Sequence, residues 1–236
     1  MKITPEDTRW PKRLEGLKGM PPCLYVRGEI PDEEEKTIAI VGARMCSQYG
    51  KQQAFRFAKE MARAGVSVVS GMALGVDGYA HAGALEGGGR TYAVLGCGLD
   101  ICYPEKNRRL YEEIPKRGGL ITEFSSGSKP LGKHFPLRNR IISALADLVL
   151  VVEARAKSGS LITADFALEQ GKDVYALPGR VGDALSEGCN RLIAQGAGLA
   201  LSPGMLLEIM GAGKGLNESS GKNTKMRLAT DRDLVY

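Results

Sequence analysis

The segment 68–81, VVSGMALGVDGYAH, has the residue types of an anion-binding turn. An apolar run ends at Ser70 and Gly71, and Gly75 and Asp77 follow as a helical pattern begins. Backbone amides of a glycine-rich turn that opens a helix form a ready anion site, so Ser70, Gly71 and Gly75 are predicted to contact a phosphate. The spacing is not the G-x-G-x-x-G of dinucleotide-binding folds, which disfavours a nicotinamide enzyme.

Two further segments carry cations, glycines or hydroxyls directly after an apolar run. Gly42 ends the run 37–42, and Arg44 follows with a planar fork that suits phosphate. Residues 154–160, ARAKSGS, follow a later run and stand just before a helical pattern. Ser158 or Ser160 is expected to cap that helix, a role that can coexist with anion binding. The predicted anion contacts in this segment are Lys157, Ser158, Gly159 and Ser160.

The segment 124–146 contains no acidic residue. Basic residues with an interleaved aromatic suit phosphate contacts combined with base stacking, although a solvated basic loop has the same composition. The nucleic-acid-binding residues predicted here are Lys133, Phe135, Arg138, Asn139 and Arg140.

The sequence predicts binding rather than catalysis. Asp77, Glu123 and Glu153 are acids near the same predicted sheet edge, but no Ser-His-Asp order and no paired-carboxylate spacing accompanies them. Cys97 and Cys102 have no second Cys/His pair nearby, so they predict structural thiols and no metal site. No catalytic residue and no cofactor is therefore expected.

The elements that must position these residues alternate between apolar strands and helices. Strands that are apolar throughout are buried on both faces, which predicts an α/β fold with an extended Rossmann-like, doubly wound, mostly parallel sheet. Ligands of such sheets bind beyond the carboxyl ends of the strands, where the residues named above stand. We expect residues 1–36 to be an N-terminal extension packing on the core, 37–210 the Rossmann-like domain, and 211–236 a linker-like tail.

Composition narrows the class of protein. The 236 residues carry a net charge of +5 with a sequence pI of about 8.9, a mild sign of a polyanionic partner. No apolar run reaches the ~18 residues needed to cross a bilayer, so no membrane partner is expected. Five scattered cysteines in a chain of this length favour reduced thiols in a cytoplasm.

Several long motifs in order give the chain a specific resemblance. IAIVGAR (38–44), VVSGMALGVDGYAHAGAL (68–85), FPLRNRIISALADLVLVVEA (135–154) and KSGSLITADFALEQGKDVYALPG (157–179) are similar to those of the DprA/Smf family, DNA processing protein A. The resemblance implies sequence-independent binding of single-stranded DNA, its protection, and loading of the RecA recombinase in natural transformation. It also implies a homodimer without catalytic activity.

The same resemblance implies roles for particular residues. Gly42 and Arg44 match the family's glycine-arginine turn, and Lys133, Phe135, Arg138 and Arg140 match its basic loop. Lys157 is expected on the same surface. Members often carry a helical N-terminal domain and a winged-helix-like C-terminal domain, for which this sequence is too short. The late helix contributes Leu192 and Ile193, which suit either a dimer seam or the core.

Two alternatives stay open at the level of sequence. The first is a Rossmann-like enzyme that binds small nucleotides or hydrolyses their N-glycosidic bonds, as proteins with a PGGxGT stretch do. Here the comparable stretch, KSGSLITADFALEQ, lacks PGG and places Asp165 and Glu169 at other spacings. The second is a scaffold that works through RecA-like partners and needs no binding pocket.

Overall fold

Short apolar runs form the central strands of the computed structural model, which describes residues 1–212. These residues form one nine-stranded sheet with the order β1-β2-β6-β5-β4-β3-β7-β8-β9. Its strands are β1 (Lys2–Ile3), β2 (Leu24–Gly28), β3 (Thr37–Val41), β4 (Ser67–Ser70), β5 (Thr91–Val94), β6 (Gly119–Thr122), β7 (Leu148–Val151), β8 (Asp173–Ala176) and β9 (Gly198–Leu199).

Seven of these strands, from β6 across to β9, are mutually parallel. The helices between them are α1 (Gln48–Arg63), α2 (Val76–Glu86), α3 (Arg108–Glu113), α4 (His134–Ala144), α5 (Gly159–Glu169) and α6 (Glu187–Ala194), and α7 (Pro203–Ile209) follows β9. The predicted Rossmann-like, mostly parallel α/β architecture is confirmed.

Each central strand buries both of its faces. In β3, Ala39 and Val41 face the core cluster that α4 and α5 cover, whereas Ile38 and Ile40 face the cluster under α1 and α2. Burial on both faces explains why the strand sequences are apolar throughout instead of alternating.

The first 36 residues extend the sheet. Strand β2 pairs antiparallel with β6, with Val26 opposite Ile121, and β1 pairs antiparallel with β2. Trp10 and Leu14 are buried in the same core cluster as α4. Of the expected linker-like tail 211–236, residues 213–236 lie outside the described residues.

The strand order fixes where a ligand can bind. The chain runs from β3 through β4 and β5 to β6 on one side, then returns to place β7 on the other side of β3. The carboxyl ends of β3 and β7 therefore form the point at which the winding direction reverses, where open α/β sheets leave a crevice. No helix within residues 1–212 has the length and apolar character needed to cross a membrane.

Candidate nucleic-acid interface

An open cleft of about 590 Å³ lies at the carboxyl ends of β3 and β7. The loops after β3, β4, β6 and β7 converge there with the first turns of α4 and α5. Nine of the predicted binding residues line it: Gly42, Arg44, Phe135, Arg138, Asn139, Lys157, Ser158, Gly159 and Ser160.

The turn after β3 places Arg44 on the rim of the cleft. A Cβ atom at Gly42 would lie 2.7 Å from the Val76 Cγ2 atom and 2.9 Å from the Glu153 carbonyl oxygen. Glycine therefore lets this turn pack against α2 and the loop after β7. Arg44 is exposed, and its guanidinium carbon lies 5.1 Å from the centroid of the Phe135 ring. The guanidinium can accordingly meet a phosphate beside an aromatic face.

Two aromatic rings form a shelf in the cleft. Phe135, in the first turn of α4, packs against Tyr103 with ring centroids 5.5 Å apart and planes tilted by 32°. Gly96 permits this position of Phe135, because a Cβ atom there would lie 2.8 Å from the ring. Tyr103 is 43% exposed and was not among the predicted binding residues. With Tyr103 exposed and Phe135 half-buried, the shelf is open on the cleft side and suits the stacking of unpaired bases.

The N-terminus of α5 forms the opposite wall. Ser158 is the N-cap, its hydroxyl accepting a hydrogen bond from the Ser160 amide at 3.4 Å, and the two hydroxyl oxygens lie 2.8 Å apart. Asn139 donates from Nδ2 to the Gly159 carbonyl oxygen at 3.1 Å, which joins α4 to α5. Lys157 and Gly159 are exposed, so a cation stands beside the positive end of the helix.

The structure does not bring Ser70 and Gly71, in the turn after β4, into the lining of the cleft, which corrects their prediction as phosphate contacts. The Ser70 side chain is fully buried, and its hydroxyl donates to the Ile40 carbonyl oxygen at 2.7 Å. The Gly71 amide donates to Asp77 Oδ2 at 3.1 Å, and the Ala73 amide points to the same atom at 3.4 Å. The anion in this turn is therefore the chain's own Asp77 carboxylate.

Gly75 has a steric role instead of the predicted phosphate contact. Its φ is +75°, and a Cβ atom would lie 2.3 Å from the Ala43 carbonyl oxygen and 2.4 Å from the Arg44 carbonyl oxygen. The Val76 amide donates to that same Ala43 oxygen at 3.2 Å. Gly75 thus lets the start of α2 touch the turn that carries Arg44.

Arg138 forms the floor of the cleft. It is 3% exposed and donates from one terminal nitrogen to the Gly71 carbonyl oxygen at 2.7 Å and to the Val94 carbonyl oxygen. Burial lowers the pKa of Arg138 to about 10, opposed by the nearby Asp77 carboxylate, so the guanidinium remains charged at neutral pH. Burial also raises the pKa of Asp77, with Arg138 opposing. Arg138 holds the ends of β4 and β5 instead of presenting a free cation.

Arg140 is also committed inside the protein, which corrects its predicted contact with nucleic acid. It is 6% exposed and forms a bidentate ion pair with Glu123, with N–O distances of 2.7 and 2.8 Å. Its Nε donates to the Gly19 carbonyl oxygen at 2.7 Å, which ties the N-terminal segment to α4. Lys133 is exposed just before α4, outside the cleft lining, although its neighbour Gly132 belongs to that lining.

Acidic groups have little access to the cleft. Asp77 is the acidic residue among its lining residues, and it is occupied as described. Glu153 accepts hydrogen bonds from the Ser47 amide at 2.8 Å and from the Ser47 hydroxyl. Within residues 1–212 there is no cluster of three His, Cys, Asp or Glu side chains that could hold a metal ion.

The cleft stands in a fold shared with known proteins. The profile of the DNA recombination-mediator protein A family matches residues 1–211. Protein Smf of Synechocystis sp. is 40% identical over 238 residues, covering 99% of this chain and 59% of that protein. The chain therefore spans about three fifths of the length of this relative.

Two solved structures have the same fold. DprA from Streptococcus pneumoniae superposes with a TM-score of 0.84 at 39% identity, over 88% of this chain and 73% of that one. DprA from Helicobacter pylori, whose structure is described for its single-stranded DNA binding mode, gives a TM-score of 0.78 at 32% identity, over 89% and 95% of the chains. The chain belongs to the DNA recombination-mediator protein A family, the DprA/Smf family.

Proposed function

We propose that this protein binds single-stranded DNA, without sequence preference, in the cleft between the turn after β3 and the N-terminus of α5. The observation that carries the proposal is the pairing of exposed cations with a partly exposed aromatic shelf in one open site. Arg44, Arg155 and Lys157 are exposed in the cleft lining, and Phe135 and Tyr103 form the shelf. The binding mode described for the Helicobacter pylori relative supports the same ligand.

In this proposal the walls of the cleft have separate tasks. Phosphates are neutralised by Arg44 and Lys157 and reach the amides at the start of α5. Bases stack on Phe135 and Tyr103, and any base has a π-face that can do so. Lys133 contributes a further cation at the edge of the cleft. In a duplex the bases already stack on one another and cannot reach the shelf, so a duplex should bind less tightly.

The test compares single-stranded oligo-dT, a mixed-sequence single strand and a duplex of equal length at two salt concentrations. Arg44→Glu, Lys133→Glu and Lys157→Glu should weaken binding to both single strands alike. Lys172→Glu is the matched control, because Lys172 directly precedes β8 and so lies at the amino ends of the strands, away from the cleft. Equal affinity for duplex and single strand, or unchanged affinity in Arg44→Glu, would refute the proposal.

A nucleotide hydrolase has less support. Hydrolysis of an N-glycosidic bond needs a carboxylate that can reach the substrate. Asp77 is enclosed by its own turn, and Asp165 lines a separate groove between α5 and α6. Incubation with nucleoside monophosphates, followed by chromatography, should therefore release no free base.

The wider role in the proposal is protection of incoming strands and loading of RecA in natural transformation, which rests on family membership. A homodimer fits the exposed apolar side chains near the β9 edge, Leu199 at 37%, Leu201 at 65% and Ile209 at 43% exposure. Leu192 and Ile193 instead pack on the core. Leu201→Glu should lower the molecular mass measured by light scattering. Strand exchange by RecA on single strands coated with this protein should be faster than strand exchange on single strands without it.

A further inference from the structure

A second groove, of about 1060 Å³, leaves the cleft at its rim. Arg44 and Met45 line both the cleft and the groove, so the two spaces adjoin at this shared rim. From there the groove runs along α2, with Lys51 of α1 on one side and Arg109 of α3 on the other, as far as Lys116. The groove therefore leads from the carboxyl ends of the parallel strands to the side of the sheet where their amino ends lie.

The groove is strongly basic. Its lining contains six cationic side chains and two carboxylates, an excess of four positive charges in a chain whose net charge is +5. Both carboxylates are already paired, Glu86 with Lys59 at 3.3 Å and Glu113 with Lys116 at 2.8 Å. Within residues 1–212, therefore, no carboxylate forms an ion pair with the remaining cations of the groove.

Three exposed cations are available to a ligand. Lys106, Arg109 and Arg117 are exposed, and among residues 1–212 none has a carboxylate oxygen within 4.0 Å. Apolar faces accompany them, because Tyr79 is 38% exposed and Met45 is 81% exposed. The Lys51 ammonium lies 5.9 Å from the centroid of the Tyr79 ring. Cations alternate here with surfaces on which bases can rest, as in the cleft itself.

We propose that a single strand too long for the cleft turns at Arg44 and continues along this groove. The inference rests on the proposed function, since it assigns the path of the same ligand. The shared rim at Arg44 selects a polymer that already occupies the cleft, and the charge excess selects a polyanion. Helix α2 has 11 residues, which at 1.5 Å per residue is about 17 Å, or about five stacked nucleotides.

The test is the dependence of affinity on oligonucleotide length. Oligo-dT of about 4 to about 20 nucleotides brackets the site sizes of single-strand binders. The variant is Lys106→Gln combined with Arg109→Gln, two exposed positions whose replacement leaves the cleft intact. The controls are Lys157→Gln, a cleft cation, and Lys172→Gln, a cation at the amino end of β8.

The variant should match the wild type on the shortest oligonucleotides and fall behind on the longest. Loss of two phosphate contacts makes the negative slope of log K against log salt less steep by about 1.4. At about 0.1 M salt this corresponds to a loss of affinity of about 25-fold. Lys157→Gln should weaken binding at every length, and Lys172→Gln at none.

The outcomes separate the two proposals. If the groove variant binds long oligonucleotides as the wild type does, while Lys157→Gln weakens them, the groove path is overturned and the cleft stands. If the wild type binds no single strand at any length, both fall. If the groove variant loses affinity equally at all lengths, the loss does not come from a path beyond the cleft, and the groove assignment is wrong.

Discussion

Gly75→Ala tests whether the cleft depends on contact between two loops. The carbonyl oxygens of Ala43 and Arg44 lie 2.3 and 2.4 Å from the position of a Cβ atom at Gly75. Neither oxygen can move without moving the backbone that carries Arg44. The substitution should therefore displace this cation relative to Phe135 while leaving the central strands in place.

The magnitude follows from comparison with Gly65→Ala. Gly65 ends α1 with φ +80° and has no atom within 4 Å of the added carbon, so its alanine variant carries the left-handed backbone penalty of about 1–2 kcal/mol. Gly75 combines φ +75° with ψ −131°, which lies outside the left-handed helical region, so alanine there carries a further backbone penalty. Steric overlap costs about 1–3 kcal/mol more. Both variants add one methyl group, so their difference measures the backbone conformation and the overlap at Gly75 together.

Urea unfolding followed by fluorescence gives both stabilities, and oligo-dT binding is then measured where both variants are folded. Gly75→Ala should unfold at lower urea than Gly65→Ala and bind more weakly than its remaining folded fraction explains. Gly65→Ala should bind as the wild type does. If the two variants are equally stable and both bind normally, the turn after β3 is not held in place by α2.

Three further predictions concern single side chains. Three exposed cations in the cleft should give short oligo-dT a slope of log K against log salt of about −2.1, and Arg44→Gln should change it to about −1.4; an unchanged slope would contradict the phosphate contact. Arg140→Met leaves the largely enclosed Glu123 carboxylate, whose side chain is 12% exposed, without its cation. The free energy of unfolding should therefore fall by about 3–5 kcal/mol, and adding Glu123→Leu should restore part of it; no loss would show that the pair is dispensable. Burial lowers the pKa of His81 from 6.5 to about 3, so neutral His81 contributes fully to the stability of the fold above pH 6.5. As the pH falls below 6.5 this contribution is lost, by up to about 1.4 kcal/mol per pH unit. The free energy of unfolding of His81→Gln, measured in urea, should lack this part of the pH dependence, and a dependence equal to that of the wild type would refute the prediction.

The sheet was predictable because burial on both faces leaves a direct trace in sequence. A run such as residues 37–42 has no polar position, and a glycine ends it. The cleft followed from the same pattern, since residues directly after parallel strands share one edge. Arg44, Phe135 and Lys157 could be placed together on that basis alone.

The error at Ser70 and Gly71 has a physical cause. The sequence contains a turn able to hold an anion, and Asp77 follows Gly71 by six residues. It does not reveal that the Asp77 carboxylate folds back onto the Gly71 amide. Tyr103 was missed for a related reason. It does not directly follow a strand, because it lies in the loop before α3, which begins at Arg108, and only the folded path of this loop brings it to the cleft.

The acid-free segment 124–146 combines two kinds of arginine and lysine that composition alone cannot separate. Lys133 is exposed. Arg140 instead forms an ion pair with Glu123, which lies just before the segment, and Arg138 donates to carbonyl oxygens at the ends of two strands that are distant in sequence. Buried arginines fix the shape of the cleft because their planar forks hold several acceptors at once. The charge of Arg138 is offset by Asp77 beneath the same site. The attraction for a polyanion therefore comes from the exposed cations of the rim. The floor supplies the geometry in which these cations and the aromatic shelf face one another.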